Sequence, residues 1–201
     1  MKICILPGHS PKDGGSAGRF GVYGTLSEYM LAKMVLPAVA DELRRAGHEV
    51  VITERAAAGG TTPSYSAAAA NVTRADLAVE LHFNSAGATA SGAEWLYFGP
   101  SASSMRVANA MLNKWCSLTG FRNRGPLGCY ENEAKAAADG SVHRYTTRGY
   151  NAFARSKMKF FMTEPFFASN PTECAKVAEM LKSGDYARFM AQAILAGAAV
   201  M

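Results

Sequence analysis

Apolar residues in this chain fall into short runs separated by stretches of helical period. Lys2–Pro7 (KICILP), His48–Thr53 (HEVVIT), Asp76–Phe83 (DLAVELHF) and Ala93–Phe98 (AEWLYF) read as strands, and a fifth lies within Ala154–Thr163. Thr25–Ala46 carries an apolar stripe of Met30, Leu31, Met34, Val35, Val39 and Leu43. Gly47 stands where a C-terminal cap belongs, and Pro37 should kink this helix. Ser64–Ala75, Ser101–Thr119, Pro171–Lys182 and Asp185–Val200 also read as helices, with Pro63 near the start of the first and Asn170 as N-cap of the third. Strands alternating with helices predict an α/β fold: a mostly parallel sheet with helices on both faces. Neither an internal repeat nor a linker divides the chain, so residues 1–201 read as a single domain.

Two stretches escape this rhythm. Gly8–Gly24 is a long loop with six glycines, and it carries His9 directly after the first strand. A structureless loop of that length in a compact domain is usually functional. Phe121–Asn151 mixes aromatics, charges and glycines without a period, and is expected as an inserted hairpin or lid with no regular structure.

In open α/β sheets, ligands bind at the carboxyl ends of the strands. The predicted strands put three chemically capable side chains there: His9, His82 and Glu164. Period-two alternation in the third strand places Glu80, His82 and Asn84 on the face opposite Leu77, Val79, Leu81 and Phe83. Glu28 opens the helix that follows the His9 loop, so it starts from the same edge. Taken singly, each residue has a plain structural reading. Thr25-x-x-Glu28 fits a capping box, a lone strand His is usually a hydrogen-bonded structural residue, and many strands end in Glu. Taken together, two imidazoles and one carboxylate leave a fourth position open on a tetrahedral zinc ion. A second carboxylate outside the coordination shell would serve as general base.

Composition narrows the class further. No run approaches the roughly 18 apolar residues needed to cross a bilayer. The start, MKICILPGHS, is too short in apolar residues for a signal peptide, so synthesis in the cytoplasm without an export signal is expected. Cys4, Cys116, Cys129 and Cys174 are scattered and form no CxxC pair, which favours reduced thiols over a disulfide or a cysteine metal site. The net charge of +5 suits an anionic partner such as nucleic acid, a membrane surface or an anionic cell wall. Its basic residues are dispersed, and Arg44-Arg45 and Arg122-Asn123-Arg124 are not the runs of a nucleic-acid patch. Charge alone does not choose among these partners.

Pro7-Gly8-His9, the glycine-rich loop, Glu28-Tyr29, Leu81-His82-Phe83-Asn84 and the run Glu164–Asn170 resemble the motifs of the zinc-dependent N-acetylmuramoyl-L-alanine amidases of the amidase-3 type. Ala70-Asn71 before Ala75-Asp76, and Gly92-Ala93-Glu94, fit the same pattern, and the match covers nearly the whole chain. The resemblance implies a twisted mixed sheet flanked by helices, one zinc per chain held by His9, Glu28 and His82, and Glu164 as the catalytic group. Apart from the resemblance, Asn84 has two readings, a group that orients substrate and a plain strand-end turn residue. The implied substrate is peptidoglycan, cut between the lactyl group of N-acetylmuramic acid and L-alanine, with no nucleic acid and no stable membrane association. The chain is similar to phage endolysins in carrying a catalytic domain and little else. Three departures stand out: Leu6 where the family usually has Asp, Glu80 where a small residue is common, and a long Phe121–Asn151 segment. The competing readings are a zinc carboxypeptidase or endopeptidase acting on the stem peptide, and a wall-binding domain without turnover.

Overall fold

The computed structural model describes residues 1–140 and 144–201. Its centre is a seven-stranded sheet of β1 (Lys2–Pro7), β4 (Glu49–Ile52), β5 (Leu77–Leu81), β6 (Glu94–Phe98), β7 (Leu127–Cys129), β8 (Tyr145–Thr146) and β9 (Lys159–Glu164). The strand order is β4-β1-β5-β9-β6-β7-β8. The first four strands in that order are parallel, β6 runs antiparallel to β9, and β7 and β8 run with β6. The sheet is therefore mixed and mostly parallel.

Alternation along the strands divides the core in two. Ile3, Ile5, Leu77, Val79 and Phe161 face one way and pack under α1 (Glu28–Arg45), α3 (Ala102–Thr119), α6 (Pro171–Ser183) and α7 (Asp185–Ala198). Cys4, Leu6, Ala78, Phe160 and Met162 face the other way, under α2 (Pro63–Thr73) and α5 (Tyr150–Arg155). Helices thus cover both faces, as the strand–helix rhythm requires. Asn170 caps α6, its side chain accepting from the backbone N–H groups of Thr172 and Glu173. All four cysteines are free thiols, and three are buried.

Register decides where the site falls. Pro7 pairs with Leu81, and Leu81 with Thr163, across three adjacent parallel strands. The residues that follow these three, Gly8-His9, His82 and Glu164, therefore leave the sheet at one edge and one level.

The two irregular stretches are more ordered than their sequence predicts. Within the glycine-rich loop, β2 (Ala17–Arg19) pairs antiparallel with β3 (Thr25–Ser27), which takes the first three residues of the helix expected from Thr25, so that α1 begins at Glu28. Phe121–Asn151 contributes β7, β8, a short helix α4 (Glu133–Asp139) and the first residues of α5. β7 and β8 pair in parallel, so this segment extends the sheet and does not form a hairpin. Strands of two and three residues are too short to show a period, and β7 has Gly128 at its centre. Residues 141–143 of the segment lie outside the described residues.

Phe166 joins this edge to the larger core. It is completely buried, two residues beyond Glu164, and its ring meets Phe20, Phe83, Phe121 and Tyr186. Phe166→Ala is expected to cost about 3–5 kcal/mol. That corresponds to a melting temperature lower by roughly 6–20 °C for a domain of this size. A drop of under 2 °C on thermal unfolding would show that the aromatic cluster does not carry the edge.

Candidate active site

Two glycines make room for the imidazoles. A Cβ on Gly8 would sit 2.5 Å from the His82 ring, and one on Gly15 would sit 2.5 Å from the His9 ring. Gly8 also donates its N–H to the Leu81 carbonyl at 2.7 Å, tying the loop to β5. The next residue, His9, takes a left-handed backbone with φ 63°, which turns its side chain back over the strand ends. His9 Nδ1 lies 3.4 Å from Asp13 Oδ1, and its Nε2 points at Glu28.

Glu28 is not half of a capping box. Ser27 is the N-cap of α1, its Oγ accepting from Met30 N–H at 3.2 Å, and Thr25 belongs to β3. The β2–β3 pairing sets the cap two residues beyond the one expected, which frees the Glu28 side chain to turn inward. Its Oε1 accepts from Ser16 N–H, and its Oε2 accepts from Phe83 N–H. The same Oε2 lies 2.9 Å from His82 Nδ1 and 3.3 Å from His9 Nε2.

Two ligands at about 2.0–2.1 Å from a tetrahedral zinc stand about 3.3 Å apart, close to both separations. The three ligand atoms all lie within 4.8 Å of one another. The donor set of two imidazoles and one carboxylate, with both backbone contacts holding the carboxylate in place, fits a metal ion.

Charge within this trio is strongly coupled. Burial alone would raise the Glu28 carboxyl, but hydrogen bonds to His82 and His9, and their charges, hold it well below the ordinary carboxylate range. Burial would lower His82, yet the charge of Glu80 and the contact with Glu28 lift it to about 10. A metal ion bound here would replace the proton that this arrangement otherwise attracts.

Glu164 ends β9 on the same cavity wall and is 6% exposed. Its Oε2 is buried without a hydrogen-bond partner among the described residues, and its Oε1 is 3.5 Å from Arg148 Nη2. Burial pushes its carboxyl up to about 7, against the pull of His82 and Arg148. Carboxyls tuned to that range suit proton transfer near neutral pH. His9, Glu28, His82, Asn84, Arg148 and Glu164 all line one cavity of about 430 Å³.

Asn84 is present but engaged. Its Nδ2 donates to Glu94 Oε1 at 2.8 Å, and its Oδ1 accepts from Ser85 N–H at 3.1 Å. The amide therefore braces the wall. Glu94, in turn, is clamped by Arg124 at 2.9 Å and Arg144 at 2.7 Å, with Arg148 at 4.0 Å. Sequence reading missed this arginine cluster, because all three of its members lie in the segment without a period.

Among the described residues, no helix is long and apolar enough to cross a membrane. Across solved structures, the catalytic domain of the CD27L endolysin targeting Clostridia difficile is similar, with 26% identity, a TM-score of 0.69, and coverage of 98% of this chain and 96% of that one. An N-acetylmuramoyl-L-alanine amidase from Clostridium difficile 630 shares the fold at 20% identity and TM-score 0.71, covering 98% and 94%. The catalytic domain of CwlV, an N-acetylmuramoyl-L-alanine amidase from Bacillus (Paenibacillus) polymyxa var. colistinus, does so at 23% and 0.69, covering 98% and 94%. No curated protein sequence matches the chain. The family model described as N-acetylmuramoyl-L-alanine amidase matches residues 3–199, and the chain belongs to that family of cell-wall amidases.

Proposed function

We propose that this chain is a zinc-dependent N-acetylmuramoyl-L-alanine amidase and acts as an endolysin catalytic domain. The observation that carries the zinc reading is the convergence of His9 Nε2, Glu28 Oε2 and His82 Nδ1 in one cavity with Glu164. The endolysin reading rests on the 26% identity to the CD27L catalytic domain over nearly the full length of both chains.

Zinc held by His9, Glu28 and His82 would supply Lewis acidity, polarising the scissile carbonyl and making water a nucleophile near neutral pH. Glu164 accepts the proton of the attacking water and returns it to the departing amine of L-alanine. Its unpartnered Oε2 is the oxygen available for that transfer. Arg148 Nη2 lies 3.5 Å from the other oxygen, an ion-pair contact that favours the carboxylate's charged form. The segment 121–151 acts as cavity wall through Arg148 and Gly149.

End-group analysis of purified peptidoglycan digested with the protein tests the bond cleaved. New free amino groups on L-alanine, with lactyl carboxyls to match, are expected. A stem peptidase would leave the lactyl–alanine bond intact, and a wall-binding domain would release nothing.

The pH profile follows from Glu164. A general base works only when deprotonated, so kcat/KM should rise with pH through an acid limb. Burial pushes the Glu164 carboxyl up to about 7, and a dication held by His9, Glu28 and His82 would move it, and the limb with it, lower. The limb should vanish in the residual activity of Glu164→Gln. An acid limb unchanged in that variant would assign the titration to another group.

A further inference from the structure

Behind His82, on the side away from Glu28, lies a second carboxylate that the amidase reading does not use. Glu80 lies in β5 and His82 directly follows that strand, its N–H still donating to the Thr163 carbonyl, so the alternation continues and both point to the same face. Glu80 is completely buried. One of its oxygens, Oε1, is saturated: it accepts from Arg55 Nε at 3.0 Å, Arg55 Nη2 at 2.8 Å and Ser66 Oγ at 2.6 Å. Arg55, itself 3% exposed, also donates to the Thr61 carbonyl at 2.9 Å. The carboxylate is therefore immobilised through one oxygen only.

Among the described residues, its other oxygen, Oε2, has no hydrogen-bond partner, and neither does His82 Nε2. These two orphaned buried atoms face each other at 3.4 Å. A buried polar atom left unpaired costs about 1–3 kcal/mol, and here one proton between the pair satisfies both. A purely structural Arg55–Glu80 pair would not require Oε2 to point at an imidazole. It would be expected to use both oxygens on the guanidinium fork.

We propose that Glu80, held by Arg55 and Ser66, is a positioning residue that fixes His82 with its proton on Nε2 and its Nδ1 lone pair turned toward Glu28 and His9. This rests on the metal reading of His9, Glu28 and His82. Carboxylates behind ligating histidines set the tautomer and ring orientation, and their loss typically weakens metal affinity by about 10–100-fold. The strand supplies the arrangement directly, since a Glu two residues before a His on a strand edge reaches the far ring nitrogen.

Two variants test it. In Glu80→Gln, the amide oxygen faces Arg55 and the NH₂ faces His82, donating to Nε2 and driving the ring proton onto Nδ1, the wrong atom. The double variant Glu80→Leu/Arg55→Leu removes both charges together, so no buried charge is left unpaired and folding is preserved. Zinc dissociation constants are measured by competition with a chromophoric chelator, and melting temperatures are recorded without zinc. Both variants should bind zinc about 10–100-fold more weakly than wild type. In zinc-loaded wild type, the His82 Nε2 proton should appear far downfield and exchange slowly by NMR; in the double variant it should move upfield and exchange fast. A purely structural role changes the zinc-free melting temperature and leaves zinc affinity within about twofold, and that result in the double variant overturns the proposal. If wild type itself binds no zinc, the metal reading fails and takes this proposal with it. Normal wild-type binding with unchanged variants sinks this proposal alone.

Discussion

Glu164→Gln is expected to lower turnover by about 10²–10⁴-fold, the usual contribution of a general base. At 1.36 kcal/mol per decade, that is a loss of about 3–5 kcal/mol in transition-state stabilisation. The substitution keeps the side chain's size and removes the basic oxygen. Among the described residues, its oxygen Oε2 has no partner to lose, so the fold should not suffer for want of a hydrogen bond. Removing a buried carboxylate whose protonation is favoured by burial should, if anything, stabilise the protein at neutral and higher pH. The sign follows from its raised pKa: a carboxyl whose folded value lies near 7 disfavours the folded state increasingly as pH rises from about 4.5 through 7. The expected pattern is therefore distinctive: normal zinc content, an equal or higher melting temperature, retained binding to wall fragments and a collapse of kcat. Near-normal lysis by this variant would refute the role. Loss of zinc in the same variant would place Glu164 among the ligands and remove Glu28 from that position.

Much of this site was legible from the chain because a parallel sheet turns strand order into proximity. Pro7, Leu81 and Thr163 end apolar runs, and in a parallel sheet such ends collect at one edge. His9, His82 and Glu164 follow from that geometry. Glu28 was harder, because a Glu at a helix start is usually a cap, and only the β2–β3 ladder makes Ser27 the cap instead. The arginines could not be read at all. Arg144 and Arg148 flank a two-residue strand, and their positions depend on β8 pairing with β7, a contact without a sequence period. Glu80 was visible only as an unusual charge on an inward face; its meaning needed Arg55, 25 residues away in the chain.

Removing the proposed metal ligands should have the larger effect. His9→Ala and His82→Ala are each expected to lose most of the bound zinc, measured as metal per chain, together with activity to the level of buffer alone. Glu164→Gln retains the electrophile; these variants do not, so their residual rates should lie below its own. His9 is the cleaner test. Its side chain is 28% exposed, and its removal leaves Glu28 still paired to His82. His82→Ala, by contrast, strands Glu28 and Glu80 with fewer partners in a buried setting, and should lower the melting temperature without zinc as well. Ligand linkage separates the two effects. Zinc at 100 times its dissociation constant stabilises the folded state by about 2.7 kcal/mol. For a domain of this size that raises the melting temperature by roughly 5–11 °C. Wild type should show that rise on adding zinc and lose it on adding chelator, whereas both variants should melt at one temperature regardless. Full zinc occupancy in a His9→Ala, His82→Ala double variant would place the metal elsewhere, and Glu28 would then owe its inward turn only to the backbone N–H groups of Ser16 and Phe83.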